Sequence, residues 1–372
     1  YTNQYGEVTT NTYDADGSLT STTKPDGTVF DFDDEGRVKK ETYSGGFTRD
    51  FTYNTNQTLV TGSNGINITY NLNAFGEVAE YKLQNGENDK NYSYTYDSDG
   101  NITTISLNGS LQQTFTYNSS NELVRVDDAV VNKTVVYEYD YVGNITAVRT
   151  YAYTTGTLGT PLTTQNYTYN SQNQRTDLSY DANGNLTSHN GYTFGWTNRR
   201  LTSAVSEDTN ISYTYNHNGI RTSKTINGIT TYYVVDENNN VVKQYELVND
   251  VETNVIEFVY DSNNTPIYFT YNNATYYYEK NLQGDIVAIL DENGNTVVSY
   301  IYDIWGKLVS ITGTLADTLG IANPLRYRGY YYDTETELYY LQSRYYSPNL
   351  MRFISQDDPG FSNAQGEPLG NN

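Results

Sequence analysis

Tyr96-Asp97-Ser98-Asp99-Gly100-Asn101-Ile102-Thr103-Thr104-Ile105 (YDSDGNITTI) contains the reading of the whole chain in ten residues. Asp97 can accept a hydrogen bond from its own backbone two residues on, and Gly100 supplies the positive φ that closes a tight turn. On either side the residues alternate: Tyr92, Tyr94 and Tyr96 share one strand face, with Ser and Thr on the other. The stretch is therefore a β-hairpin with an aromatic face and a polar face. The same pattern recurs as YDADGSLTST (Tyr13, Asp14, Gly17), YDYVGNITAV (Tyr139, Asp140, Gly143), YDANGNLTSH (Tyr180, Asp181, Gly184) and YDIWGKLVSI (Tyr302, Asp303, Gly306). Weaker copies start at Phe32, Tyr53, Tyr117, Tyr215 and Tyr260.

The spacing sets the unit. Phe32 to Tyr53 and Tyr96 to Tyr117 are each 21 residues, Tyr139 to Tyr180 is 41 and Tyr260 to Tyr302 is 42, so one unit is about 21 residues, doubled where a copy has decayed. Val135, Tyr137, Tyr139 and Tyr141 fall on one face, as do Tyr213 and Tyr215. A hairpin this small cannot bury its aromatic face alone, so consecutive units pair into one long sheet, and beyond about ten strands a twisted sheet must curl or close. A solenoid, a propeller and a large curled shell all satisfy that requirement. The doubled unit matches a WD-type propeller blade in length, but its Gly-His/Trp-Asp signature is missing.

Composition agrees with an all-β fold and narrows the function. The apolar surface is mostly phenolic, with 41 Tyr against 11 Phe and 2 Trp, so the core must hydrogen-bond as well as pack. A net charge of −22 argues against nucleic acid and anionic membranes as partners. The absence of Cys removes disulfides and thiolate chemistry, and two histidines, His189 and His217, disfavour His-based catalysis. No P-loop, dinucleotide fingerprint or Gly-x-Ser-x-Gly elbow is present, so neither a cofactor nor a conventional catalytic site is expected. Pairs such as Asp14/Asp16 and Asp97/Asp99 suggest calcium at first sight, but the closing Glu of an EF-hand is missing and turn capping explains them; no metal is expected. No apolar run is long enough to span a membrane, and the opening Tyr1-Thr2-Asn3 reads as the interior of a longer protein.

The YDxxGN units resemble the YD repeats of RHS proteins, teneurins and the C components of insecticidal toxin complexes. The stretch NLQGDIVAILDENGNTVVSYIYDIWGKLVSITGTLADTLG from Asn281 and NPLRYRGYYYDTETELYYLQSRYYSPNLMRFISQDDPG from Asn323 is similar to the RHS repeat-associated core. The resemblance implies a β-ribbon wound into a hollow cocoon-like shell, with the core segment spiralling in as a plug. It divides the chain into a YD-repeat shell (1–280), the core and plug (281–360) and the start of a post-core segment (361–372). The plug would be built from Arg326, Tyr327, Arg328, Gly329, Tyr330, Arg344, Tyr345, Tyr346 and Pro348. Their alternation predicts guanidinium stacking on aromatic faces, with Asp333, Glu335 or Asp357 as ion-pair partners.

The resemblance also implies function. In the family a variable effector, often a toxin, follows the core and is held in the shell, and in many members an aspartate-dependent self-cleavage releases it. Arg352 with Asp357 or Asp358 would supply part of such a site here, but the downstream DPxGL motif is not found. Glu337 and Met351 stand where the family pattern has glycine; if those positions need positive φ, each side chain costs on the order of 1 kcal/mol. The expected role is encapsulation by a secreted or cell-surface protein, with its own C-terminal effector, and secretion or delivery components, as partners. The alternative is an adhesion or carbohydrate-binding module reading cell-surface glycans through exposed tyrosine faces.

Overall fold

The computed structural model describes residues 8–86 and 89–356. A 15-stranded sheet runs from Thr10–Tyr13 to Thr163–Asn166 and a 13-stranded sheet from Ser188–His189 to Leu308–Thr312. In both, every strand pairs antiparallel with its neighbours in sequence. A four-stranded sheet, Tyr331–Asp333, Leu338–Leu341, Arg344–Ser347 and Arg352–Phe353, closes the described chain. The ribbon is thus interrupted once, where one long sheet was expected. Between the two large sheets the turns at Asn170 and Asp181 follow so closely that their arms form only single bridges, Tyr169 with Arg175 and Tyr180 with Leu186. The expected 280/281 division falls inside the second sheet, between the paired strands Ala274–Lys280 and Ile286–Leu290.

Each repeat is built by one set of contacts. In the turn after Tyr96, the Asp97 carboxylate accepts the backbone N–H groups of Asp99 (3.0 Å) and Asn101 (2.9 Å), and the Asn101 amide donates to its other oxygen (3.0 Å). Gly100 takes φ 83°. The tyrosine before the turn serves a second purpose: its hydroxyl donates to the carbonyl of a residue that leaves an earlier hairpin turn. Tyr96 reaches Val78 (2.6 Å), Tyr117 reaches Ile102 (2.9 Å), Tyr139 reaches Leu123 (2.7 Å), Tyr215 reaches Leu201 (2.6 Å) and Tyr302 reaches Ile286 (3.0 Å). A phenylalanine would fill the same space and leave those carbonyls unpaired, which accounts for the tyrosine bias. Tyr141, expected on the face of Tyr137 and Tyr139, instead lies beyond Asp140 at the turn tip and is 99% exposed. The chain has reversed there, so alternation no longer applies.

The ribbon returns along itself. Thr9 hydrogen-bonds Glu237, Arg49 reaches Asp261 and Lys90 reaches Glu279, at separations of 228, 212 and 189 residues. Successive hairpins of the second sheet therefore lie against successive hairpins of the first. Ion pairs hold the two layers, Arg49 with Asp261 (3.4 Å) and Lys90 with the buried Glu279 (2.6 Å). The largest apolar core joins second-sheet residues such as Leu201, Ile211, Ile256, Phe269 and Val298 to Leu338 and Tyr345 of the small sheet and to Leu350 and Ile354 beside its last strand. The C-terminal segment is thus packed into the ribbon's own core.

Candidate functional site

The chain leaves the second sheet at Gly313, where φ is 115° and a Cβ would sit 2.3 Å from the Val297 carbonyl. It turns through a short helix, Leu319–Ala322, into Asn323, which is fully buried. The Asn323 amide donates to the Leu325 carbonyl (2.7 Å), and its oxygen accepts from the Tyr278 hydroxyl (2.7 Å). Arg326, 1% exposed, faces the carbonyls of Gly320, Ile321 and Asn323, each at 3.3 Å, with its guanidinium 4.5 Å from the Tyr332 ring centre. It finds acceptors in the carbonyls around the helix end, not in a carboxylate.

Three plug tyrosines then read one repeat turn. Tyr327 donates to the Ile304 carbonyl (2.9 Å), Tyr346 to Trp305 (3.0 Å) and Tyr339 to Gly306 (2.8 Å). The YDIWGK turn is therefore a docking platform as well as a chain reversal. Gly306 has φ 86° and a Cβ there would lie 2.5 Å from the Tyr327 ring, so both backbone and contact require glycine. The other predicted plug residues spread along the same seam. Arg328, itself at φ 55°, takes a hydrogen bond from its backbone N–H to Asp285 (3.0 Å), and Gly329 follows at φ 71°. The Tyr330 carbonyl accepts the Arg326 N–H (3.1 Å), Arg344 stacks on Phe353 (3.7 Å) and Pro348 lines a cavity of about 810 Å³ with Trp305 and Met351. Tyr345 lies 3.0 Å from the Tyr215 hydroxyl.

The most ionic part of the seam lies at Arg221 and Lys224, which the sequence reading did not select. Arg221 donates to Asp333 (2.6 Å) and Lys224 donates to the other Asp333 oxygen (3.1 Å) and to Glu335 (2.9 Å). Asp333 and Arg221 are 0% and 1% exposed. The guanidinium is boxed by Tyr340 (4.4 Å), Tyr233 and Tyr331 (each 4.8 Å), with Tyr213 and Tyr345 further out. Burial pushes the Asp333 carboxyl up, but Arg221 and Lys224 outweigh it and hold it below the ordinary range. Asp333 and Glu335 thus serve the wall, where the sequence had suggested partners for the plug arginines. A signal for Arg221 did exist: in YNHNGIRTSK it takes the turn-exit slot that Leu19, Ile102, Leu123, Ile145 and Leu308 fill elsewhere.

At the end of the described chain, Arg352 donates to the Asn173 carbonyl (2.9 Å) and stands 5.6 Å from the Tyr169 ring. Asp357 and Asp358, its expected companions, lie outside the described residues. Glu337 and Met351 adopt φ 57° and 58°, the left-handed region that a glycine would occupy without strain. Among the described residues no group of three or more His, Asp or Glu is placed to hold a metal ion. The arrangement is suited to holding a segment in place.

The profile of the teneurin YD-shell family matches residues 55–369, and that of the RHS repeat matches 13–48. The chain belongs to the teneurin YD-shell family. This YD shell is 36% identical over 269 residues to the tRNA3(Ser)-specific nuclease WapA of Bacillus spizizenii, covering 69% of this chain and 11% of that protein. It is 36% identical over 74 residues to double-stranded DNA deaminase toxin A of Burkholderia cenocepacia, covering 20% of this chain and 5% of the toxin. Its fold is similar to that in the crystal structure of TcdB2-TccC3 without its hypervariable C-terminal region, with a TM-score of 0.75 and 20% identity over 98% of this YD shell and 20% of that chain. The YD shell therefore spans a small part of the relatives it matches.

Proposed function

We propose that this chain is wall and plug of a shell that encloses an effector segment of the same protein and keeps it from its substrate until delivery. The observation that carries the reading is the ribbon that coils along itself and takes its own C-terminal segment, Leu338 to Ile354, into its largest core. A segment anchored there hands the following chain to a fixed point on the shell. Stretches of the chain match relatives named for different activities, a tRNA nuclease over 269 residues and a DNA deaminase toxin over 74, which suits a container whose chemistry resides elsewhere. The wall itself would contribute exclusion and no reaction step. A secreted or surface-delivered parent fits the same reading.

Protease protection tests it. The full-length parent is exposed to a broad-specificity protease beside the same effector segment expressed alone. Enclosure predicts that the effector survives in the parent at protease levels that destroy it when free, and that protection ends when the shell is unfolded. Equal digestion of the two would end the proposal.

A further inference from the structure

Lys280 occupies a tyrosine position. In the turn Asn281–Asp285 it precedes the turn residue, as Tyr96, Tyr139 and Tyr302 do in theirs, and it pairs with Ile286 across the same register shift. Its Nζ donates to the Pro266 carbonyl at 2.9 Å, the bond that the repeat hydroxyl makes elsewhere. The slot is built for a neutral phenol; apart from Arg326, which carbonyls satisfy, the cations that meet at the layer and plug contacts show the contrast. Arg49 has Glu41 and Asp261, Lys90 has Glu279, and Arg221 and Lys224 have Asp333, whereas among the described residues no carboxylate stands within ion-pair distance of Lys280.

The amine also faces space. Lys280 lines a cavity of about 590 Å³ between the two layers, within the size range of ligand pockets, walled by Val60, Ile66, Ile68, Ile267 and Tyr278. The charged and titratable groups around it are Arg49, Glu41 and Asp261 at the layer contact, Arg328 from the plug, and Tyr53, Tyr70, Tyr81, Tyr277 and Tyr278 in the walls. Asp261 is committed to the Asn263 and Thr265 amides (each 2.9 Å) and to Arg49, and Glu41 to Arg49, Tyr43 and Ser262. Burial pushes the Lys280 ammonium down to about 8, a displacement that Asp261 opposes and Arg49 reinforces.

We infer that Lys280 is a reactive amine, a covalent capture site for small aldehydes admitted to the cavity between the ribbon layers. In the step the neutral amine adds to the carbonyl carbon. The C–N bond forms as the carbonyl π bond breaks, and the oxygen leaves as water with the two amine protons, giving an imine. At pH 7.5 roughly a quarter of such an amine is neutral, against about one part in a thousand for an ordinary lysine.

The test is limited reductive alkylation of the intact chain with propionaldehyde and cyanoborohydride at pH 7.5, mapped by peptide mass spectrometry. Lys280 is expected to be alkylated at least about tenfold faster than the exposed Lys39, its rate levelling off above pH 8 while that of Lys39 keeps rising. In denaturant the two rates should converge. Lys280→Tyr, which restores the phenol of the repeat, should abolish labelling of that peptide while leaving the thermal unfolding profile and the labelling of Lys39 unchanged. Native-state labelling of Lys280 no faster than Lys39, or labelling only after unfolding, would overturn the inference.

Discussion

Replacing Asp333 with Asn removes the one charge that both wall cations share while preserving side-chain shape. Asp333 is fully buried and accepts from Arg221 at 2.6 Å and Lys224 at 3.1 Å. Lys224 keeps Glu335 at 2.9 Å, but Arg221 is left with tyrosine rings and hydroxyls, and its Nε and one terminal nitrogen already lack hydrogen-bond partners. Removing one member of a buried pair costs about 3–5 kcal/mol, because the remaining charge is stranded. We place Asp333→Asn near the lower end, about 3 kcal/mol, since one of the two cations retains a carboxylate. The assay is amide hydrogen exchange of strands Tyr331–Asp333 and Leu338–Leu341. That loss corresponds to roughly a hundredfold faster exchange there, with the distant strand Gln57–Gly62 unchanged. The double variant Arg221→Met, Asp333→Leu should recover most of the protection, because an apolar pair strands no charge. Exchange altered less than about threefold by Asp333→Asn would refute the idea that this contact holds the plug.

Three further outcomes follow from the same geometry. Tyr139→Phe strands the Leu123 carbonyl now held at 2.7 Å and should cost about 1 kcal/mol in chemical denaturation, whereas Tyr141→Phe at its exposed turn tip should cost nothing measurable. Glu337→Gly relieves a left-handed φ of 57° on an exposed residue and should raise stability by up to about 1 kcal/mol, less what its bonds to Asn190 and Asn349 contribute; a loss of stability would show that those bonds dominate. The pH profile should be asymmetric. Burial holds the Tyr302, Tyr331, Tyr345 and Tyr346 hydroxyls well above their usual range, so the native state keeps protons that the unfolded chain releases near pH 10. This stability is complete below pH 10 and falls by about 1.4 kcal/mol per pH unit per tyrosine as pH rises from there toward the folded-state values. A denaturation midpoint that is flat from pH 9 to 11.5 would contradict it.

What the sequence revealed was local. The Asp and Gly of each turn bond within five residues, so their pattern repeats visibly, and the curled β-ribbon follows from hairpins that cannot bury a face alone. The long-range chemistry left fainter marks. Arg221 meets Asp333 across 112 residues, and only its place in an otherwise apolar turn-exit slot hinted at a buried role. The hydroxyl-to-carbonyl ladder explains why tyrosine is preferred over phenylalanine, but its acceptors are backbone atoms and invisible in sequence. The misplacement of Tyr141 came from extending alternation past the residue that ends the strand. The pairing proposed for Asp333 and Glu335 chose the cations nearest in sequence, while folding supplies nearer ones from the wall.

The most direct test of the central claim is a cryo-electron microscopy map of the full-length parent at a resolution that separates strands. The account predicts a closed β-wall, the Leu338–Ile354 segment seated against it, and the effector's density inside. An effector lying outside the wall would contradict it, as would a ribbon that leaves the plug undocked.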